Sequence, residues 1–188
     1  MNIGIDFDGT ITSTNHLKTS WIKVNLGINI TPCRCNRTDC EPIIGTIMYD
    51  TMSKEVYNHQ NTLQLQPLSE AQTIIAELKK LHHLFIVTAR KDTGIDSARI
   101  WLSNYQEFSD IPLLSMSEGN KLEICLKYKI ELLIDDDMRH LASLNSFGIK
   151  GVHFYENCND CNDSILTVSS WHEIPGLISQ ISDKNSTR

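Results

Sequence analysis

Short apolar segments alternate with amphipathic helical segments along most of this 188-residue chain. The apolar segments predict strands at residues 2–6, 84–89, 111–116, 130–134 and 150–155. Helical periodicity lies between and after them, at residues 69–81, 95–105, 119–128, 137–147 and 172–182. Strands joined through helices pair in parallel, because each connection must cross back over the sheet. The sequence therefore predicts an α/β fold with a mostly parallel sheet flanked by helices.

One interval interrupts this alternation. Roughly 60 residues, from about 12 to 67, separate the first strand from the next regular helix, whereas a crossover needs only about a dozen. Apolar residues recur at helical spacing within it. We therefore predict a small helical cap at residues 13–66, inserted into a core domain of residues 1–12 and 67–188. Five large side chains fit either the core of this cap or the wall of a pocket: Trp21, Met48, Tyr49, Met52 and Tyr57.

Charge and hydropathy exclude two classes of partner. The chain has 17 basic and 23 acidic residues and a net charge of -6, which argues against a protein that binds a nucleic acid polymer through general electrostatics. No segment is long and apolar enough to span a bilayer, and residues 2–7 already predict a strand where a signal peptide would stand. We expect a cytoplasmic protein that binds neither nucleic acid polymers nor membranes.

Polar side chains follow four of the predicted strands at the point where each strand ends. In chain order they are Asp6 and Asp8, Thr88, Lys121, and Asp135 with Asp136. The carboxyl ends of parallel strands meet at one edge of a sheet, so we expect these groups to lie together. Buried carboxylates repel one another, and such a cluster therefore requires a cation between its members.

The chemistry of this cluster suits phosphoryl transfer. Asp6, Asp8 and Asp135 offer the hard oxygen ligands that Mg²⁺ prefers. A carboxylate beside a metal-bound phosphoryl group can attack phosphorus and form an aspartyl-phosphate. A second acid two residues away can protonate the leaving alkoxide and then activate water, while Thr88 and Lys121 bind phosphoryl oxygens. The expected partner is a small phosphorylated metabolite.

Four motifs resemble, in order, the signature of the haloacid dehalogenase (HAD) superfamily along nearly the whole chain. They are "DFDGT" at residues 6–10, "VTAR" at residues 87–90, Lys121, and "LLIDDD" at residues 132–137. The resemblance implies a Rossmann-like core with a cap of the first type. It also implies that Asp6 is the nucleophile, that the Asp8 backbone carbonyl ligates Mg²⁺, and that Asp135 is the third protein ligand.

The resemblance also implies roles for the remaining residues of these motifs. Asp8 becomes the general acid and base, and Asp136 an acid behind the ligands or a partner of Lys121. Asp137 is expected to cap the following helix. Arg90 contacts the phosphate or the cap, or forms a surface ion pair.

An acid at position 8 distinguishes phosphatases and phosphotransferases of the superfamily from dehalogenases, which lack it. "TAR" followed by "LLIDD" is similar to the 5'(3')-deoxyribonucleotidase branch. The resemblance implies a Mg²⁺-dependent phosphatase that hydrolyses a small phosphate monoester, with a nucleoside 5'-monophosphate as first candidate. The alternatives are a phosphotransferase, a sugar-phosphate phosphatase of the same superfamily, and a zinc-containing interaction module without catalytic activity.

Five of the six cysteines fall into two clusters. They are Cys33, Cys35 and Cys40 in the inserted segment, and Cys158 and Cys161 after the strand at 150–155. Such spacing predicts either a structural Zn²⁺ held by four of the five, free thiols, or redox-active disulfides. Cys125 lies on an apolar helix face and is expected in the core.

Overall fold

The computed structural model describes residues 1–158 and 165–186. The strands of this part are β1 (Asn2–Asp6), β2 (His83–Thr88), β3 (Leu113–Ser115), β4 (Leu132–Asp135), β5 (Lys150–Phe154) and β6 (Leu166–Val168). Its helices are α1 (Thr14–Leu26), α2 (Arg37–Ile44), α3 (Thr46–Val56), α4 (His59–Gln64), α5 (Ala71–Leu81), α6 (Thr93–Ser103), α7 (Lys121–Lys127), α8 (Met138–Leu141) and α9 (Ile174–Ser186). Within these ranges every helix is too short or too polar to cross a membrane.

The six strands form one sheet in the order β3-β2-β1-β4-β5-β6. Every pairing between neighbouring strands is parallel, which confirms the predicted α/β fold. Strand β1 lies at the centre, where Ile5 is in register with Ile86 of β2 and Ile134 of β4. The carboxyl ends of β2, β1 and β4 are therefore side by side. Strand β6 is an addition to the prediction, because three residues are too few to show a periodicity.

The sheet is buried on both faces. In β4, Leu132 and Ile134 pack into one apolar cluster, whereas Leu133 packs into a second cluster on the opposite face. Alternate residues of a strand point to opposite faces, so a strand buried on both must be apolar throughout. Gly4 permits close packing here, since a Cβ atom at this position would lie 2.9 Å from Leu133 Cδ1. This explains the uninterrupted apolar runs of the sequence.

The segment between β1 and α5 is helical, as predicted, and it has a small apolar core. That core contains Ile22, Cys35, Cys40, Tyr49, Met52 and Val56. Helix α4 instead contacts α6 of the larger unit, with His59 Nδ1 2.9 Å from Ser97 Oγ. The neighbouring Trp101 indole donates a hydrogen bond to the Leu65 carbonyl (2.9 Å). The division at residues 13–66 stays a prediction.

A disulfide joins Cys33 to Cys158, and thus the turn before α2 to the segment after β5. Cys35 and Cys40 are free thiols buried in the core of the helical segment, and Cys125 is buried beside the sheet, as expected. Cys161 lies outside the described residues. The predicted zinc site is not supported, because the described cysteines do not bring three sulfur atoms close enough to hold one ion. Cys33 and Cys158 form a disulfide, whereas Cys35 and Cys40 match the free-thiol alternative. The redox activity expected of such a disulfide stays a prediction.

Candidate active site

The site is built on the adjacent carboxyl ends of β1 and β4. Asp6 ends β1 and is 4% exposed, and Asp135 ends β4 and is fully buried. Between them lies the ammonium group of Lys121, which donates hydrogen bonds to Asp6 Oδ1 and to Asp135 Oδ2, the latter at 2.6 Å. Lys121 is the first residue of α7, whose start is fixed by a reciprocal capping box between Asn120 and Glu123. The capping box therefore fixes where α7 begins, and Lys121 at its first position lies between the two acids.

Burial raises the pKa of both acids, and repulsion from neighbouring carboxylates adds to the rise. Burial is the largest cause for Asp6, with Asp135 and Asp8 adding to it and Lys121 opposing it. Burial alone would lower the pKa of Lys121, but the carboxylates of Asp135 and Asp6 hold that pKa above its usual value. The lysine is therefore charged, and it offsets only part of the negative charge around it.

A third carboxylate completes a candidate metal site. Oxygen atoms of Asp6, Asp135 and Asp136 lie within 4.8 Å of one another, and among the described residues these form the one such group. Asp136 Oδ2 also accepts a hydrogen bond from Asn15 Nδ2 of α1 (2.7 Å). Burial raises the pKa of Asp136 well above its usual range, and Asp6 contributes to the rise. Three buried carboxylate oxygens fit a hard divalent cation such as Mg²⁺.

Asp136 and Asp137 follow the predicted ligand Asp135 and lie in different surroundings. Asp136 was expected behind the ligands or as a partner of Lys121, and its carboxylate lies in the same oxygen group as the predicted ligands Asp6 and Asp135. Asp137 caps α8, where its Oδ1 accepts a hydrogen bond from Arg139 N (3.0 Å), as predicted. Asp137 Oδ1 also accepts one from Thr38 Oγ1 of α2 (2.7 Å).

We expect saturating Mg²⁺ to raise the melting temperature of the wild-type protein by about 5 to 10 °C, because a cation offsets the repulsion among buried carboxylates. The Asp136→Asn variant should show less than half of this rise, since it loses one oxygen anion of the group. Thermal unfolding with and without Mg²⁺, after treatment with a chelator, measures both values.

Asp96→Asn is the matched control, because Asp96 is exposed and pairs with Arg99 on α6. Its response to Mg²⁺ should equal that of the wild type. An unchanged response in Asp136→Asn would exclude Asp136 as a direct ligand.

The side chain of Asp8 lies in a different environment. It accepts hydrogen bonds from Arg90 at both oxygens, from Nε to Oδ2 (2.8 Å) and from Nη2 to Oδ1 (2.7 Å), and from Thr14 Oγ1 to Oδ1 (2.8 Å). Burial alone would raise the pKa of Asp8, but the Arg90 guanidinium holds it below its usual value. Thr88 is fully buried, and its hydroxyl accepts a hydrogen bond from Arg90 N (3.1 Å). The role of Thr88 as a phosphate ligand stays a prediction.

A cavity of about 540 Å³ opens over these groups. Asp6, Asp8 and Lys121 line its base, and Lys18, Tyr49 and Tyr57 line it from the helical segment. Of the large side chains singled out in the sequence, Tyr49 and Tyr57 thus face the cavity, whereas Met52 is buried in the core of the helical segment.

Two residues of the site, Asn15 and Lys18, were not found from the sequence. The ammonium group of Lys18 is buried and donates hydrogen bonds to Asn15 Oδ1 and to the Cys35 carbonyl, both at 3.1 Å. Val24 stands at helical spacing from Leu17 and Trp21, but it is 82% exposed. The inner face carries Thr14, Asn15 and Lys18 together with Ile22. A polar stripe at helical spacing, directly after an acidic motif, was the available signal.

Comparisons with known proteins agree with this fold and extend over most of the chain. No family model matches. A curated protein of Clostridium acetobutylicum, named as a nucleotidase, is 23% identical over 194 residues, which cover 98% of this chain and 97% of its own. A conserved haloacid dehalogenase-like protein of unknown function from Agrobacterium tumefaciens has a TM-score of 0.64 at 9% identity, covering 96% of this chain and 98% of its own.

A HAD family hydrolase from Deinococcus radiodurans, solved with bound phosphate and sodium, has a TM-score of 0.60 at 8% identity and covers 95% of both chains. The chain has the fold of the haloacid dehalogenase superfamily. The resemblance read from its four motifs is thereby confirmed at the level of the fold.

Proposed function

We propose that this protein is a Mg²⁺-dependent phosphatase that hydrolyses a small phosphate monoester through an aspartyl-phosphate on Asp6. One observation carries the proposal: the Asp6 carboxylate lies with those of Asp135 and Asp136 at the base of a cavity that Lys121 also lines. Buried acids that repel one another destabilise a fold, so their convergence at a cavity favours a catalytic role.

In the first half of the reaction an Asp6 oxygen attacks the phosphorus atom. A bond forms between this oxygen and phosphorus, and the bond between phosphorus and the ester oxygen breaks. Because Arg90 keeps the pKa of Asp8 low, the reactive form is the fraction of molecules in which Asp8 is protonated. In that form Asp8 gives its proton to the departing alkoxide, which leaves as an alcohol. The ammonium of Lys121, held next to Asp6, stabilises the negative charge of the phosphoryl oxygens.

In the second half water replaces the alcohol. Asp8, now a carboxylate, accepts a proton from the water molecule as its oxygen attacks phosphorus. The bond between phosphorus and Asp6 breaks, inorganic phosphate leaves, and Asp6 returns to its initial state. The carboxylates of Asp6, Asp135 and Asp136 and the Asp8 carbonyl are the groups that would hold Mg²⁺, which when bound supplies positive charge for the phosphoryl oxygens.

A nucleoside 5'-monophosphate is the first substrate to test. Two observations support this choice, namely the nucleotidase name of the Clostridium acetobutylicum relative and the aromatic rings of Tyr49 and Tyr57 in the cavity wall. In this proposal residues 13–66 act as a cap over the substrate. A cytoplasmic location stays a prediction.

Release of inorganic phosphate from a panel of phosphate esters tests the proposal. We expect turnover with Mg²⁺, none after chelation, and the highest kcat/KM for a nucleoside 5'-monophosphate. A preference for sugar phosphates would retain the phosphatase reading and replace the substrate. Transfer of the phosphoryl group to an added alcohol, without net phosphate release, would instead identify a phosphotransferase. Absence of turnover across the panel in the presence of Mg²⁺ would contradict the proposed function.

A further inference from the structure

Arg90 is buried and held by several hydrogen bonds, unlike a residue that forms a surface ion pair. The residue is 7% exposed. Two of its side-chain nitrogens donate to the two oxygens of Asp8, and Nη1 donates to Thr62 Oγ1 of α4 (2.6 Å). Its backbone carbonyl accepts a hydrogen bond from Ser115 Oγ at the end of β3 (2.6 Å). Backbone and side chain are thus both fixed.

Aromatic rings further restrict the guanidinium. Its carbon lies 5.1 Å from the ring centre of Phe7, in the first motif, and 5.1 Å from that of Tyr57, at the end of α3. A planar cation over aromatic faces is held in orientation as well as in position. Three of the five N–H groups of Arg90 are directed at Asp8 and Thr62. The guanidinium group of Arg90 is therefore paired with a carboxylate of the chain itself.

We propose that Arg90 is a positioning residue that orients the Asp8 carboxyl group for proton transfer, and that Thr62 holds Arg90 in place from the helical segment. The inference rests on the proposed function and selects among the roles expected for Arg90 from the sequence, which were contact with the phosphate, contact with the cap, or a surface ion pair. Two parallel hydrogen bonds fix the plane of a carboxylate, which a single contact does not. A misplacement of about 1 Å can cost roughly a hundredfold in rate.

The dependence of rate on the leaving group separates this role from a structural one. An alkyl alkoxide needs a proton when it leaves, whereas p-nitrophenolate is a stable anion and leaves without one. We expect Arg90→Met to lower kcat for an alkyl phosphate substrate by on the order of a hundredfold, and for p-nitrophenyl phosphate by less than about fivefold. Arg90→Lys should resemble Arg90→Met, because an ammonium cannot form the two parallel bonds.

Thr62→Val extends the test to the helical segment. Loss of its one hydrogen bond to Arg90 should lower kcat for the alkyl phosphate about threefold to tenfold, again with little change for p-nitrophenyl phosphate. Arg99→Met is the matched control, since Arg99 is exposed and pairs only with the nearby Asp96 among the contacts described. It should leave both rates unchanged.

A double-mutant cycle shows whether Arg90 acts through Asp8. The Asp8→Asn variant loses the proton donor, and the Asp8→Asn/Arg90→Met double variant should be no slower than Asp8→Asn alone. This double variant also leaves no unpaired charge at the Asp8–Arg90 pair, so it separates a catalytic effect from misfolding. Inhibition by inorganic phosphate should be the same in wild type and Arg90→Met.

Each other outcome overturns a defined part of the proposal. Three results would show that Arg90 binds the phosphate or supports the fold. They are an equal loss of kcat on both substrates, a double variant slower than Asp8→Asn alone, and weaker inhibition by inorganic phosphate in Arg90→Met. In any of these cases wild-type turnover would still uphold the proposed function. A wild-type protein without turnover would remove both the proposed function and the role of Arg90.

Discussion

Replacing Asp6 with asparagine is expected to lower the turnover of phosphate monoesters by on the order of 10⁴-fold. The amide is nearly the same size as the carboxylate but is a far weaker nucleophile, so the first bond to phosphorus does not form. The substitution also removes one of the three buried carboxylates that repel one another. The variant should therefore fold at least as stably as the wild type, and the loss of rate cannot be ascribed to unfolding. Steady-state release of phosphate, with melting curves of both proteins, measures the two effects.

Asp110→Asn is the control for this substitution. Asp110 forms an exposed ion pair with Lys79 (2.6 Å) away from the cavity, and its loss should leave kcat unchanged. Trapping the phosphorylated protein gives a second readout, because wild type should carry phosphate on Asp6 after rapid acid quenching and the variant should carry none. Turnover of Asp6→Asn at the wild-type rate would rule out Asp6 as the nucleophile.

Replacing Lys121 with methionine is expected to lower the free energy of unfolding by about 3 to 5 kcal/mol in the absence of metal. The ammonium is buried and donates to both Asp6 and Asp135, so its removal leaves two carboxylates without their cation. Methionine fills a similar volume, and the effect is therefore one of charge. Urea unfolding of the metal-free protein measures the change.

Two further measurements isolate the cause. Lys121→Met combined with Asp135→Asn should recover much of the lost stability, because the double variant has one carboxylate fewer. Saturating Mg²⁺ should also recover part of it, by supplying positive charge at the same acids. Lys80→Met, at an exposed position of α5, should change the free energy of unfolding by less than about 0.5 kcal/mol. An equally small effect for Lys121→Met would mean that the lysine does not offset the acids.

The fold was predictable because its signals are local. Continuous apolar runs gave the central strands. The helix predicted over residues 137–147 is shorter in the structure, where α8 ends at Leu141 and a 3₁₀ turn, Leu144–Phe147, is closed by Gly148 in the left-handed region. Strand β6 was missed because its three residues carry too little pattern. The cysteines show the opposite case, because the Cys33–Cys158 pairing joins positions 125 residues apart. Spacing along the chain does not determine such a contact.

The sequence by itself determined the parallel α/β sheet, the helical insertion and the set of polar residues at the strand ends, because each depends on periodicity or on position after a strand. Only the tertiary structure decided how those residues pair. It brings the Asp136 carboxylate into the oxygen group of Asp6 and Asp135, and directs Arg90 to Asp8. It also turns the polar stripe of α1 inward. These are contacts between side chains of distant segments, and they follow from how helices pack on the sheet edge, which no local pattern of residues specifies.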